Sequence, residues 1–143
     1  MNKIFSKEQQ ELIVDAIQKA EKETSGEIRV HVEEKCKGEL MARAAKVFVE
    51  LGIHNTKLQN GVLIYISIKD RQLAILGDEG INNVVPEGFW DSTKNIMIDY
   101  FKVANYTEGL INGIEQAGEQ LKKFFPYSSN DKNELNNDIS FGK

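Results

Sequence analysis

Residues 61–77 read GVLIYISIKDRQLAILG, two apolar runs separated by the polar trio Lys69-Asp70-Arg71. The first run is continuous and rich in β-branched residues, which is how a strand covered on both faces reads. The second follows after so short a link that a hairpin is the simplest joint. An antiparallel pair near the middle of the chain is therefore the fixed point from which the rest is placed.

Upstream, EIRVHVE at 27–33 alternates: Ile28, Val30 and Val32 point one way, Glu27, Arg29, His31 and Glu33 the other. Between it and the hairpin, ELMARAAKVFVEL at 39–51 is an amphipathic helix ending at Gly52. Strand, helix and strand make a βαβ unit with a right-handed crossover, so strands 27–33 and 61–68 are expected to be parallel. Strand 72–77 then runs antiparallel to 61–68. Burying the polar face of the first strand unpaired is costly, which predicts that this strand lies at an edge or lines a cleft.

At the N-terminus, Ser6 and Gln9 form a capping box before Leu12, Ile13, Ala16, Ile17 and Ala20 at helical spacing. This helix should stop at Thr24-Ser25-Gly26. Downstream, Pro86 suits the first turn of a helix running to about Phe101. Tyr106-Thr107 starts another, through Leu121 to Phe125, ended by Pro126. The order α-β-α-β-β-α-α predicts the α/β class: a small α/β/α sandwich, or a two-layer variant, around a mixed sheet. Residues 1–126 are expected to form one domain. The Asn-rich segment 127–143 is expected to be a disordered polar tail, with Ile139 and Phe141 as docking points.

A chain of 143 residues, 41% hydrophobic with seven Phe, four Tyr and one Trp, suits one domain with a real core. Its net charge of -4 and pI of 5.3 argue against a nucleic-acid partner, since such proteins concentrate Lys and Arg on one face. A charged partner is expected to be a cation. The single cysteine, Cys36, forms no internal disulfide and, with two histidines, no Cys-rich zinc site, which fits a reducing compartment. The first residues, MNKIFSKEQQELIVDAIQ, contain no signal-peptide apolar core, and no segment reaches the ~18 apolar residues of a membrane span. A soluble, cytoplasmic, monomeric protein without membrane contact is expected.

Strand direction gathers the chemistry into two rims. The end of strand 72–77 lies beside the beginnings of the other two, so Gly77-Asp78-Glu79 shares a rim with Ser25-Gly26-Glu27 and Gln59-Asn60-Gly61. Glu33, Glu34 and Cys36 share the opposite rim with Asp70 and Arg71. Calcium takes oxygens from carboxylates, amides and carbonyls, and glycine lets carbonyls turn inward. Asp78, Glu79, Glu27 and Asn60, with Asp91 from the next helix, are the candidate ligands. The competing account makes Asp78 a turn cap, Glu27 a solvated acid and Asp91 an ordinary helix acid.

Other chemistries are less well served. Six residues separate Cys36 from Arg43, one too many for a thiol-phosphatase loop. Metal-assisted hydrolysis at an acidic rim, with Arg29 or Arg71 on the phosphate, remains open. His31, Glu33 and Cys36 offer transition-metal ligands or, equally, a salt-bridged strand face. The tail stretch DKNELNND lacks the glycine of an EF-hand loop. Phe89 and Trp90 read as core anchors. No catalytic residue is assigned.

TSGEIRVHVE at 24–33, NGVLIYIS at 60–67, the Asp70-Arg71 turn, ILGDEGI at 75–81, FWD at 89–91 and FFP at 124–126 together resemble the TPM domain family. The resemblance covers residues 1–126 and is closest to short, soluble bacterial members. It implies a sheet sandwiched by helices and two activities reported within the family: acid phosphatase activity for a thylakoid-lumen member, and calcium binding for some members. The first strand departs from the family, where it is often apolar on both faces. The resulting expectation is a binding or regulatory module for a divalent cation, calcium, with an unknown protein partner. The alternatives are a weak metal-dependent acid phosphatase and a metal-free interaction adaptor using a sheet edge or the tail.

Overall fold

The computed structural model describes residues 4–127, 135 and 137–142. The elements are α1 (Lys7–Glu21), β1 (Glu27–Glu33), α2 (Leu40–Glu50), a 3-10 turn (Ile53–Asn55), β2 (Gly61–Ser67) and β3 (Gln72–Gly77). There follow α3 (Glu79–Asn82), α4 (Asp91–Lys102), α5 (Tyr106–Lys122) and β4 (Ser140–Phe141). The sheet order is β3-β2-β1-β4; β2 and β4 run parallel to β1, and β3 antiparallel to β2. The hairpin and the βαβ unit form as expected, in a mixed α/β fold.

Side-chain alternation decides the layers. Ile28, Val30 and Val32, with Val62, Ile64, Ile66, Leu73 and Ile75, meet Ile13 and Ile17 of α1, Met97 and Phe101 of α4, and Leu110, Ile114 and Leu121 of α5. The other face sets Leu63, Tyr65 and Ala74 against Ala44 and Val47 of α2 and Ile53. Helices therefore cover both faces, an α/β/α sandwich. Each fully buried aliphatic side chain contributes about 1.5–3 kcal/mol, and β2, buried along its whole length, is the spine. A Cβ on Gly113 of α5 would overlap the Met97 sulfur, so that glycine lets α4 and α5 approach.

The ends of α1 follow its sequence. The Gln9 N–H donates to Ser6 Oγ (3.1 Å) and the Ser6 N–H to Gln9 Oε1 (2.8 Å). Beyond the helix, the Thr24 hydroxyl and the Ser25 N–H (2.9 Å) both donate to the Phe125 carbonyl, tying the start of β1 to the end of α5.

Three features depart from the sequence pattern for physical reasons. The acidic loop after β3 winds into α3, with Asp78 as its N-cap. Helix α4 begins at Asp91 instead of at Pro86, because Gly88 takes a left-handed turn at φ +75° just before it. The segment expected to be a disordered tail forms β4 in its described part, while Ile139 and Phe141, its expected docking points, do pack against the α1-side core; residues 1–3, 128–134, 136 and 143 lie outside the described residues. In consequence β1 is second from the edge, and its Glu27, His31 and Glu33 are buried. Among the described residues no helix is long and apolar enough to cross a membrane.

Candidate functional site

The Gly77 rim is assembled by backbone first. The register pairs Glu27 with Gly61 and Val62 with Gly77. The Glu27 N–H donates to the Asn60 carbonyl (3.2 Å) and the Asp78 N–H to the Gly61 carbonyl (3.0 Å), so Glu27, Asn60 and Asp78 surround Gly61. A Cβ on Gly80 would overlap the Leu58 carbonyl oxygen and stand 2.6 Å from that of Gln59, so only glycine allows α3 to press on this loop.

The side chains are used differently from one another. Buried Asn60 donates Nδ2 to the Ser25 carbonyl (3.0 Å) and stitches two loops together. Glu27 turns Oε1 toward the Leu135 N–H (2.7 Å). Asp78 uses Oδ1 to accept the Glu79 N–H (2.9 Å), while its Oδ2 is shielded from water and meets no donor. Glu79 is exposed, and Asp91 is an exposed acid on the first turn of α4. Among the described residues, no three His, Cys, Asp or Glu side chains gather closely enough to hold a metal ion. The rim thus offers one donorless carboxylate oxygen with other oxygens around it, not a finished cage.

Behind Glu27 stands a residue that the sequence reading missed. Glu21, at the last turn of α1, accepts the Ile28 N–H on Oε2 (2.9 Å). Burial pushes its carboxyl up to about 7; the Ile28 hydrogen bond opposes this and the nearby Glu27 charge adds to it. In sequence it looks like one more acid on a charged helix end.

The opposite rim is centred on Glu33. Its carboxylate accepts from His31 Nε2 (3.0 Å), from Arg43 Nη2, from Arg43 Nε to both oxygens (3.1 and 3.2 Å), and from the Tyr65 hydroxyl. Burial alone would raise this carboxyl, but the bonds from Arg43, Tyr65 and His31 outweigh it and hold it at about 2. Burial also lowers the His31 imidazole against the pull of Glu33, and raises the Tyr65 phenol. The His31 and Tyr65 rings stack at 5.8 Å. Asp70 accepts from the Cys36 N–H (2.8 Å) and the Ser67 hydroxyl (2.6 Å), which lower its carboxyl. Cys36 turns its thiol toward the Gly38 carbonyl (3.6 Å), so it does not join His31 and Glu33 as a ligand. Exposed Arg71 reaches the end of α4 at the Lys102 carbonyl (3.5 Å).

Chemically, the Glu33 cluster is closed: both carboxylate oxygens have donors, and the network locks α2 to the sheet. Sequence alternation flagged His31 and Glu33. It missed Arg43 and Tyr65, although a cation on the inner face of α2 and a hydroxyl in an apolar strand were the available signals.

With this geometry in hand, comparison with known proteins is specific. The chain belongs to the TPM domain family, whose model matches residues 1–120. It is similar to the BA42 protein of the psychrophilic bacterium Bizionia argentinensis, known from an NMR structure: 50% identity, TM-score 0.91, covering 96% of this chain and 95% of that one. The N-terminal domain of a P. gingivalis protein shares the fold at 22% identity and TM-score 0.71, covering 85% of this chain and 79% of that one. The N-terminal domain of cg2496 from Corynebacterium glutamicum does so at 14% and 0.62, covering 92% and 84%. No match was found among curated proteins.

Proposed function

We propose that this TPM-domain chain is a divalent-cation-binding module that takes calcium at the Gly77 rim. Asp78 is the anchor, and Glu27, Asn60, Glu79 and Asp91 are the flanking oxygen donors. The observation that carries the reading is Asp78 Oδ2, a carboxylate oxygen turned away from water without a donor. Such an oxygen costs about 1–3 kcal/mol unless something satisfies it, and a hard cation does so with the chemistry calcium prefers. The chain's net charge of -4 favours the same partner. Because the acids are spread along the rim, binding is expected to be weak, with Kd of about 10⁻⁴–10⁻³ M.

Amide shifts measured during calcium titration test this. Movement at residues 26–27 and 77–81, lost in Asp78→Asn, is expected. Silence of these amides at millimolar calcium, or movement confined to the Asp70 rim, rejects the site. Turnover of a generic phosphomonoester that needs the ion and disappears in Asp78→Asn would make the module a weak metal-dependent phosphatase.

A further inference from the structure

The sheet has two edges, and the described chain covers one of them. Strand β4 lies on β1, whereas among the described residues nothing pairs with the far side of β3. Backbone direction decides which groups that side presents. The Asp78 N–H donates to the Gly61 carbonyl (3.0 Å), and the register sets Val62 opposite Gly77. Gly61 and Asp78 are therefore a hydrogen-bonded pair, and alternation makes Gln72, Ala74 and Leu76 face β2. Leu73, Ile75 and Gly77 turn their N–H and C=O groups outward. Exposure follows the same alternation, with Ala74 at 1% between Leu73 at 5% and Ile75 at 7%. Proteins usually guard such an edge with a charge, a proline or a bulge. The strand QLAILG has no charge and no proline, and its register runs without a bulge.

We propose that this edge is a homodimer interface, on which a second copy of the chain pairs its own β3 antiparallel about a two-fold axis perpendicular to the sheet. The ends of the strand carry the complementarity. Basic Arg71 precedes it and acidic Glu79 follows it, both exposed, so an antiparallel twin brings the two charges together twice. A perpendicular axis keeps like faces together, and opposed residues must then share a face. Placing Ile75 opposite Ile75 of the second copy meets that condition and forms about six main-chain hydrogen bonds. It also sets Leu73 across from Gly77, which has no side chain to obstruct it, and Arg71 across from Glu79. Helix α2 adds an apolar flank. It lies mainly over β3, and Arg43 leaves it toward Glu33 on β1. At about 100° per residue, Met41, Ala45 and Phe48 occupy the opposite flank, on the side of the open edge, with Met41 47% exposed. The monomer expected from the sequence is then the dilute form of the protein.

Sedimentation velocity of the full chain from micromolar to millimolar, with EDTA present so that no cation bridges two copies, should show a concentration-dependent dimer. Arg71→Glu should weaken it at least about tenfold, because two opposite-charge contacts become two like-charge ones. Glu79→Arg should do the same, and the double variant should restore the parent behaviour. Both residues are exposed, so neither reversal threatens the fold. The parent chain gives a second readout that needs no variant. Hydrogen exchange at the Leu73, Ile75 and Gly77 amides should slow as concentration rises, while Ala74 and Leu76, already bonded to β2, stay unchanged. A chain that is monomeric throughout, a dimer indifferent to both charge reversals, or concentration-dependent protection that skips 73, 75 and 77 overturns the proposal.

Discussion

Arg43 of α2 crosses a layer boundary to close on Glu33 of β1, with its side chain 12% exposed and that of Glu33 only 3%. The contact ties the outer helix layer to the sheet electrostatically, where the apolar cluster beneath α2 is the smaller of the two cores. Removing one partner leaves the other buried and uncompensated. Arg43→Ala is expected to cost about 3–5 kcal/mol in urea unfolding. Tyr65→Phe, which removes one donor of several, should cost about 1–3 kcal/mol. The double variant should fall short of the sum because both act on one carboxylate.

Acid should undo the same cluster. The Glu33 carboxyl, held at about 2 against an ordinary value of 4.5, contributes stability that is fully present above pH 4.5 and is lost as pH falls through 2. The contribution is roughly 2–3 kcal/mol. Unfolding free energies at pH 6, 4 and 2 should show this loss in the parent chain, and a much flatter acid limb in Glu33→Gln.

Glu21 has the opposite sign. Its folded-state value of about 7 stands above the ordinary 4.5, so the native state holds an extra proton between those pH values. That stabilisation is complete below pH 4.5 and is lost as pH rises through 7. Glu21→Gln keeps an oxygen for the Ile28 N–H and removes the ionisation. It should raise stability by roughly 2 kcal/mol at pH 8 and change it little at pH 4, read from thermal midpoints.

Two glycines separate rigid from yielding neighbours. Gly80→Ala drives a methyl group into the backbone carbonyls of Leu58 and Gln59, whereas Gly113→Ala meets the flexible side chain of Met97. Gly80→Ala should cost about 2–3 kcal/mol in chemical denaturation, and Gly113→Ala less. Equal losses would mean that the Leu58-Gln59 loop gives way as easily as a methionine.

The sequence was most legible where one local signal sufficed. The Ser6-Gln9 box, the GVLIYIS run and the Lys69-Asp70-Arg71 link each specify their element without help from distant residues, and strand direction alone predicted that Glu27, Asn60 and Asp78 share a rim. It was least legible where the deciding partner is remote. Nothing in EIRVHVE shows that its polar face can be buried, because the residues that make this tolerable, Arg43, Tyr65 and Ser140, come from α2, β2 and β4. The two residues of β4 carry too short a pattern to read as a strand. The raised carboxyl of Glu21 depends on the N–H of Ile28 and the charge of Glu27, which only the packed end of α1 brings close.

The pairing of β4 with β1 joins residues 109 positions apart, His31 and Ser140. Chains emerge from the ribosome N-terminus first, and domains fold as units in that order. Every other layer of the sandwich is therefore synthesised before the last strand leaves the tunnel. Until residues 140–142 emerge, β1 presents a bare strand edge, with His31 without its Ser140 partner and the Val32 carbonyl without the Gly142 N–H. Emergence of residues 140–142 thus becomes the step that finishes the β1 edge, and chains stalled short of residue 140 should be the ones that chaperones retain.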